Sequence, residues 1–86
     1  MKVSLTDIRN KFDALDRAME SREDIASFAT RAMQADDAGL LEMKSAYADK
    51  IWKGILYLSG VDLKSEPDRY LHSTYDFAEA RRELRI

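Results

Sequence analysis

An interval of three or four residues between apolar side chains governs this chain. Leu5, Ile8, Phe12, Leu15 and Met19 follow it, as do Ile25, Phe28, Ala29, Ala32 and Met33. Ala48, Ile51, Trp52, Ile55 and Leu58 make a third series, and Phe77, Arg81 and Leu84 a shorter fourth. At 3.6 residues per turn, each series lines one side of a helix. No stretch alternates apolar and polar residues over the length that a strand requires. The pattern predicts an all-α fold.

Helix starts and stops divide the chain further. Ser4, Ser21 and Ser73 each stand three residues ahead of an aspartate, Asp7, Asp24 and Asp76. A serine hydroxyl there accepts from an orphan N–H of the first turn, and the aspartate favours the positive end of the helix dipole. Gly39 and Gly60 follow helical patterns and suit left-handed caps. The segment from Val61 to His72 has no period, contains Pro67 and reads as a loop. The expected helices lie near residues 5–18, 22–36, 40–59 and 74–84, in a compact bundle of four helices with a loop before the last, forming one domain over residues 1–86. The third would run about 30 Å and, being apolar on more than one face, would be central. Gly54 lies inside it, where glycine costs about 1 kcal/mol relative to alanine. A close helix crossing explains it better than the approach of a ligand.

Several functions are disfavoured at this point. The single histidine, His72, and the absence of cysteine leave too few ligands for the usual zinc sets and no partners for a nucleophilic triad. No phosphate-cradling glycine pattern, calcium-loop spacing or metal site is visible, so no cofactor and no catalysis are expected. The fourteen basic and sixteen acidic residues are interspersed and sum to a net charge of −2. No concentrated basic face emerges, so direct nucleic-acid contact is not expected. The apolar run Ile55–Leu58 is far short of the ~20 residues of a membrane span, and Asp7 arrives before any signal-peptide core can develop. A cytoplasmic protein without membrane contact is the expectation.

What remains is surface. The segment from Asp62 to Asp76 is charged and flanked by aromatics, and two helix ends hold it. Rigid presentation lowers the ordering cost of binding. Asp62, Glu66 and Asp68 could meet a basic partner, with Tyr70 and Tyr75 as anchors and His72, Asp76 and Glu79 beside them. The Arg81, Arg82 and Arg85 group suits the negative end of the last helix.

The string Leu58-Ser59-Gly60-Val61-Asp62-Leu63, followed by Tyr70-Leu71-His72-Ser73 and Asp76-Phe77, carries a family resemblance. Upstream, Ser21-Arg22-Glu23-Asp24 opens a helix containing Ser27-Phe28-Ala29. This order, over roughly residues 21–84, resembles small helical bacterial immunity proteins of the colicin-D and contact-dependent inhibition type. The resemblance implies a monomer that binds the C-terminal domain of a cognate toxin, a nuclease, in a one-to-one complex and occludes its active site. The alternative is a helical adaptor or regulatory module that self-associates or binds a housekeeping protein.

Overall fold

The computed structural model describes residues 1–67 and 69–86. Four helices run α1 (Leu5–Asp16), α2 (Arg22–Asp37), α3 (Ala48–Leu58) and α4 (Thr74–Leu84), with a single 3₁₀ turn, Ser45–Tyr47, leading into α3. A hairpin of β1 (Lys64–Glu66) and β2 (Arg69–Tyr70) stands between α3 and α4. The expected all-α class is therefore right for the helices and wrong for the segment expected to be a loop.

The three serine caps and the Gly39 cap are in place, but Gly60, also expected as a left-handed cap, lacks a positive φ and sits in a tight turn after α3. Ser4 and Ser73 form reciprocal capping boxes with Asp7 and Asp76, and Ser21 accepts from the Asp24 N–H at 3.0 Å. Aspartate here does what glutamate does in the usual box: its carboxylate accepts from the cap N–H at 2.8 Å in both cases. At the other end of α2, Gly39 has φ +72°, its N–H donates to Asp36 O, and the Leu40 N–H donates to Ala35 O. That is a Schellman cap, and glycine supplies its left-handed residue without a Cβ clash. Helix α1 ends the same way on Ala18, at φ 53°. It stops at Asp16, so Met19 leaves the apolar stripe and is 72% exposed.

The largest departure is α3. Its expected start near residue 40 is instead an extended segment, in which Glu42 bridges in parallel to Lys2 and its carbonyl accepts from the Val3 N–H at 3.0 Å. The Gly39 cap turns the chain, and Val3, 1% exposed, seats the pairing in the core. Helix α3 therefore has 11 residues, close to 16 Å rather than 30 Å. Trp52 is only half-buried, where the stripe placed it in the core.

Ile8 and Phe12 from α1, Ile25 from α2, Ile51, Ile55 and Leu58 from α3, Val61, and Phe77 from α4 are fully enclosed. Helix α3 packs against all three other helices, so it is central despite its length. Gly54 explains how. A Cβ built on it would stand 2.6 Å from the Ile8 Cγ2 methyl, inside any real contact distance. The close crossing of α1 and α3 requires the glycine. Arg81 occupies the polar position of the α4 stripe, where Nη1 bonds Asp13 at 2.8 Å and Asp16 at 3.1 Å on α1.

Candidate functional site

The chain leaves α3 through tight turns. Gly60 N–H donates to Tyr57 O, Val61 N–H to Leu58 O, and Leu63 N–H to Gly60 O. Val61 is buried and anchors this turn. The hairpin then rises antiparallel, with Lys64 opposite Tyr70 and Glu66 opposite Arg69, and the Leu71 N–H closes its base on Leu63 O at 2.8 Å. Two strands so short cannot stand alone in water. Arg22, in the first turn of α2, supports them. Its Nη1 donates to His72 O at 2.5 Å, and its guanidinium lies 4.2 Å from the Tyr70 ring centroid and 4.8 Å from that of Phe77. Lys64 Nζ also lies 5.2 Å from the Tyr70 ring centroid. The Tyr70 hydroxyl donates to Glu23.

The starts of α2 and α4 thus meet at one end of the molecule, beneath the hairpin. Their N-terminal dipoles add to the charges of Arg22, Lys64 and Arg69. Glu23, Asp24, Asp62, Glu66 and Asp76 oppose them: Glu23 takes the Tyr70 hydroxyl and Asp76 the Ser73 N–H, Asp24 lies in the first turn of α2, and exposed Glu66 stands opposite Arg69. The bond from Tyr70 holds the Glu23 carboxyl below the usual carboxylate range and raises the phenol in return.

The expected site residues divide between two places. Glu66 and Tyr70 belong to the hairpin, Glu66 exposed and Tyr70 half-buried in the clamp rather than projecting as an anchor. Asp62 is half-buried in the turn after α3. Asp68 lies outside the described residues. His72, Asp76 and Glu79 face a groove between α3 and α4. There His72 packs on Tyr57 with ring centroids 5.4 Å apart, and its Nδ1 is 3.9 Å from Asp76 Oδ2. Tyr75 is 68% exposed, as an anchor would be, with its hydroxyl 3.4 Å from Glu79. The sequence reading missed Arg22, Lys64 and Arg69. Pro67 in a polar run flanked by Leu63 and Leu71 was the available sign of a reversal. Among the described residues, no group of three His, Asp or Glu side chains is placed to hold a metal. No helix of the described chain is long and apolar enough to cross a membrane.

Residues 2–83 match a family model described as "YxzC DNA-binding protein". The chain belongs to this YxzC family. A protein of Bacillus subtilis (strain 168), itself described as uncharacterized protein YxzC, is 31% identical over 75 residues, which make up 87% of this chain. The match spans 57% of that relative's length. No solved structure matches.

Membership in the YxzC family overturns the resemblance to colicin-D-type immunity proteins. It removes the expected toxin partner and the one-to-one inhibitory complex, and it reverses the expectation of no nucleic-acid contact. The structure shows why the motif misled. Gly60 and Asp62 belong to the turn after α3, Leu63 and Leu71 close a hairpin, and Ser73 and Asp76 cap a helix. Such residues recur wherever a helix ends, turns and restarts.

Proposed function

We propose that this YxzC-family chain is a non-catalytic regulatory module that binds duplex DNA with the hairpin end. The observation that carries the proposal is the match of residues 2–83 to a family model described as DNA-binding. The geometry supplies a location. Exposed Lys64 and Arg69 project from a hairpin, and a two-stranded ribbon is narrow enough for a DNA groove. Arg22 fixes the base of the hairpin, and backbone N–H groups at the two helix starts lie beside it. Phosphate contacts made there would position the ribbon.

The charge balance sets the strength. With two or three phosphates engaged, the logarithm of affinity should fall with the logarithm of salt at a slope of about −2 to −3. The test is fluorescence anisotropy of a labelled duplex of about 20 base pairs. Raising salt from about 50 to about 200 mM should weaken binding roughly 10- to 40-fold. The double variant Lys64→Glu/Arg69→Glu should abolish it while the helical circular dichroism is kept. Binding that survives this charge reversal, or none at low salt with micromolar protein, would rule out the hairpin as the DNA contact.

A further inference from the structure

The side of α4 that faces α3 carries the opposite charge. Asp76, Glu79 and Glu83 are spaced by three and four residues and form one wall of a groove of about 610 Å³. Its floor is apolar, made by Tyr57, Ala80 and Leu84, with Leu71 at the mouth and 54% exposed. Lys53, on the opposite wall, is tied to Asp49 at 3.1 Å. Glu79 is shared with Arg82 at 3.2 Å, and Glu83 has no ion-pair partner among the described residues. The Tyr57 hydroxyl is buried without a hydrogen-bond partner. Burial, and then the charge of Asp76, pushes this phenol up, so it is a neutral donor at physiological pH.

A groove with an oily floor and an acidic wall repels phosphate and suits a cationic apolar ligand. Both bounding helices have 11 residues, so an occupant of about three turns matches their length. We infer that this groove docks a basic amphipathic helix of a partner protein. The apolar face of that helix would lie on Tyr57, Leu71 and Leu84, and its lysines or arginines would meet Glu79 and Glu83, since the Asp76 carboxylate already accepts from the Ser73 N–H. Helix-in-groove recognition of this kind reads apolar anchors three and four residues apart. The surface is distinct from the hairpin's exposed cations, so the inference does not depend on DNA binding. Together the two surfaces would make the chain a bridge between DNA and a protein.

The test uses the full chain and a labelled synthetic peptide of about four turns, with leucines spaced by three and four and lysines on one flank. Controls are the same peptide with glutamate for lysine and a scrambled sequence. The basic helix should bind with micromolar affinity, at least about tenfold tighter than either control, each tenfold being about 1.4 kcal/mol. Amide shifts should change at Lys53, Tyr57 and Leu84. Glu79→Lys/Glu83→Lys should cost at least about tenfold, and Leu71→Asp should weaken binding as well. The Lys64→Glu/Arg69→Glu protein should bind the peptide unchanged, which separates this outcome from failure of the DNA proposal. Equal binding of the scrambled peptide, no binding at all, or shifts confined to another face would overturn the inference. So would sedimentation showing that a second copy fills the groove and that Glu79→Lys/Glu83→Lys dissociates it. If either charge variant unfolds, the shift map of the unaltered protein decides alone.

Discussion

The two longest connections between helices, residues 38–47 and 59–73, solve the same problem in different ways. The first pairs an extended segment with residues near Lys2 and buries Val3 beneath it. The second pairs with itself and is held at the surface by a guanidinium, two aromatic rings and a phenol–carboxylate bond. The first is fastened by core burial; in the second Val61 anchors the turn, and the hairpin beyond it is held by contacts that leave its cations outside. Apolar burial suits a fixed part of the scaffold. Polar fastening leaves the hairpin's cations open to solvent.

That contrast can be broken in order of expected effect. Val3→Ala should cost about 2 kcal/mol in chemical denaturation, since it empties a fully enclosed site. A loss below about 0.5 kcal/mol would mean that the first connection is not core-fastened. Gly54→Ala gives a purely helical reference. Overpacking of about 1–3 kcal/mol against Ile8 is offset by about 1 kcal/mol of helix propensity, so a net loss of about 1 kcal/mol is expected. A gain in stability would refute the close crossing. Arg22→Ala should cost about 1 kcal/mol globally. Its clearer signature is faster hydrogen exchange at Leu71, whose N–H closes the hairpin. Unchanged exchange there would dismiss the clamp.

The smallest effect is a pH dependence. Glu23 is depressed in the fold, so its contribution is present above the ordinary glutamate pKa and is lost as pH falls through the lower folded value. Tyr70 is raised, so its contribution is present below the ordinary tyrosine pKa and is lost as pH rises toward the folded value. Tyr70→Phe should lower stability slightly at neutral pH, where both contributions are present, and converge with the parent toward either extreme, so that its profile is flatter. A profile identical to that of the parent would show that the hydroxyl contributes nothing.

Three of the four helix starts were legible because serine and aspartate three residues apart have one local use, and Ser4, Ser21 and Ser73 all serve it. The core stripes were legible for the same local reason. The hairpin was not, because strands of three and two residues are shorter than any alternation that periodicity can detect. The start of α3 was misplaced because Leu40, Leu41 and Met43 continue an apolar pattern that Gly39 has already turned out of the helix. Arg22 looked like any first-turn residue of a helix. Its role depends on His72, 50 positions away, and no local pattern contains that distance.

The same separation bears on the order in which the chain assembles. Helices α1 and α2 can form from neighbouring residues, but α4 is latched by Arg22 to His72 and by Arg81 to Asp13, contacts that span 50 and 68 positions. Links across such long stretches of chain form slowly, after the entropy of closing them has been met. Both are charge-assisted, so concentrated salt weakens them more than it weakens the oily interior. The final helix should therefore dock last and detach first, taking the hairpin and one wall of the groove with it.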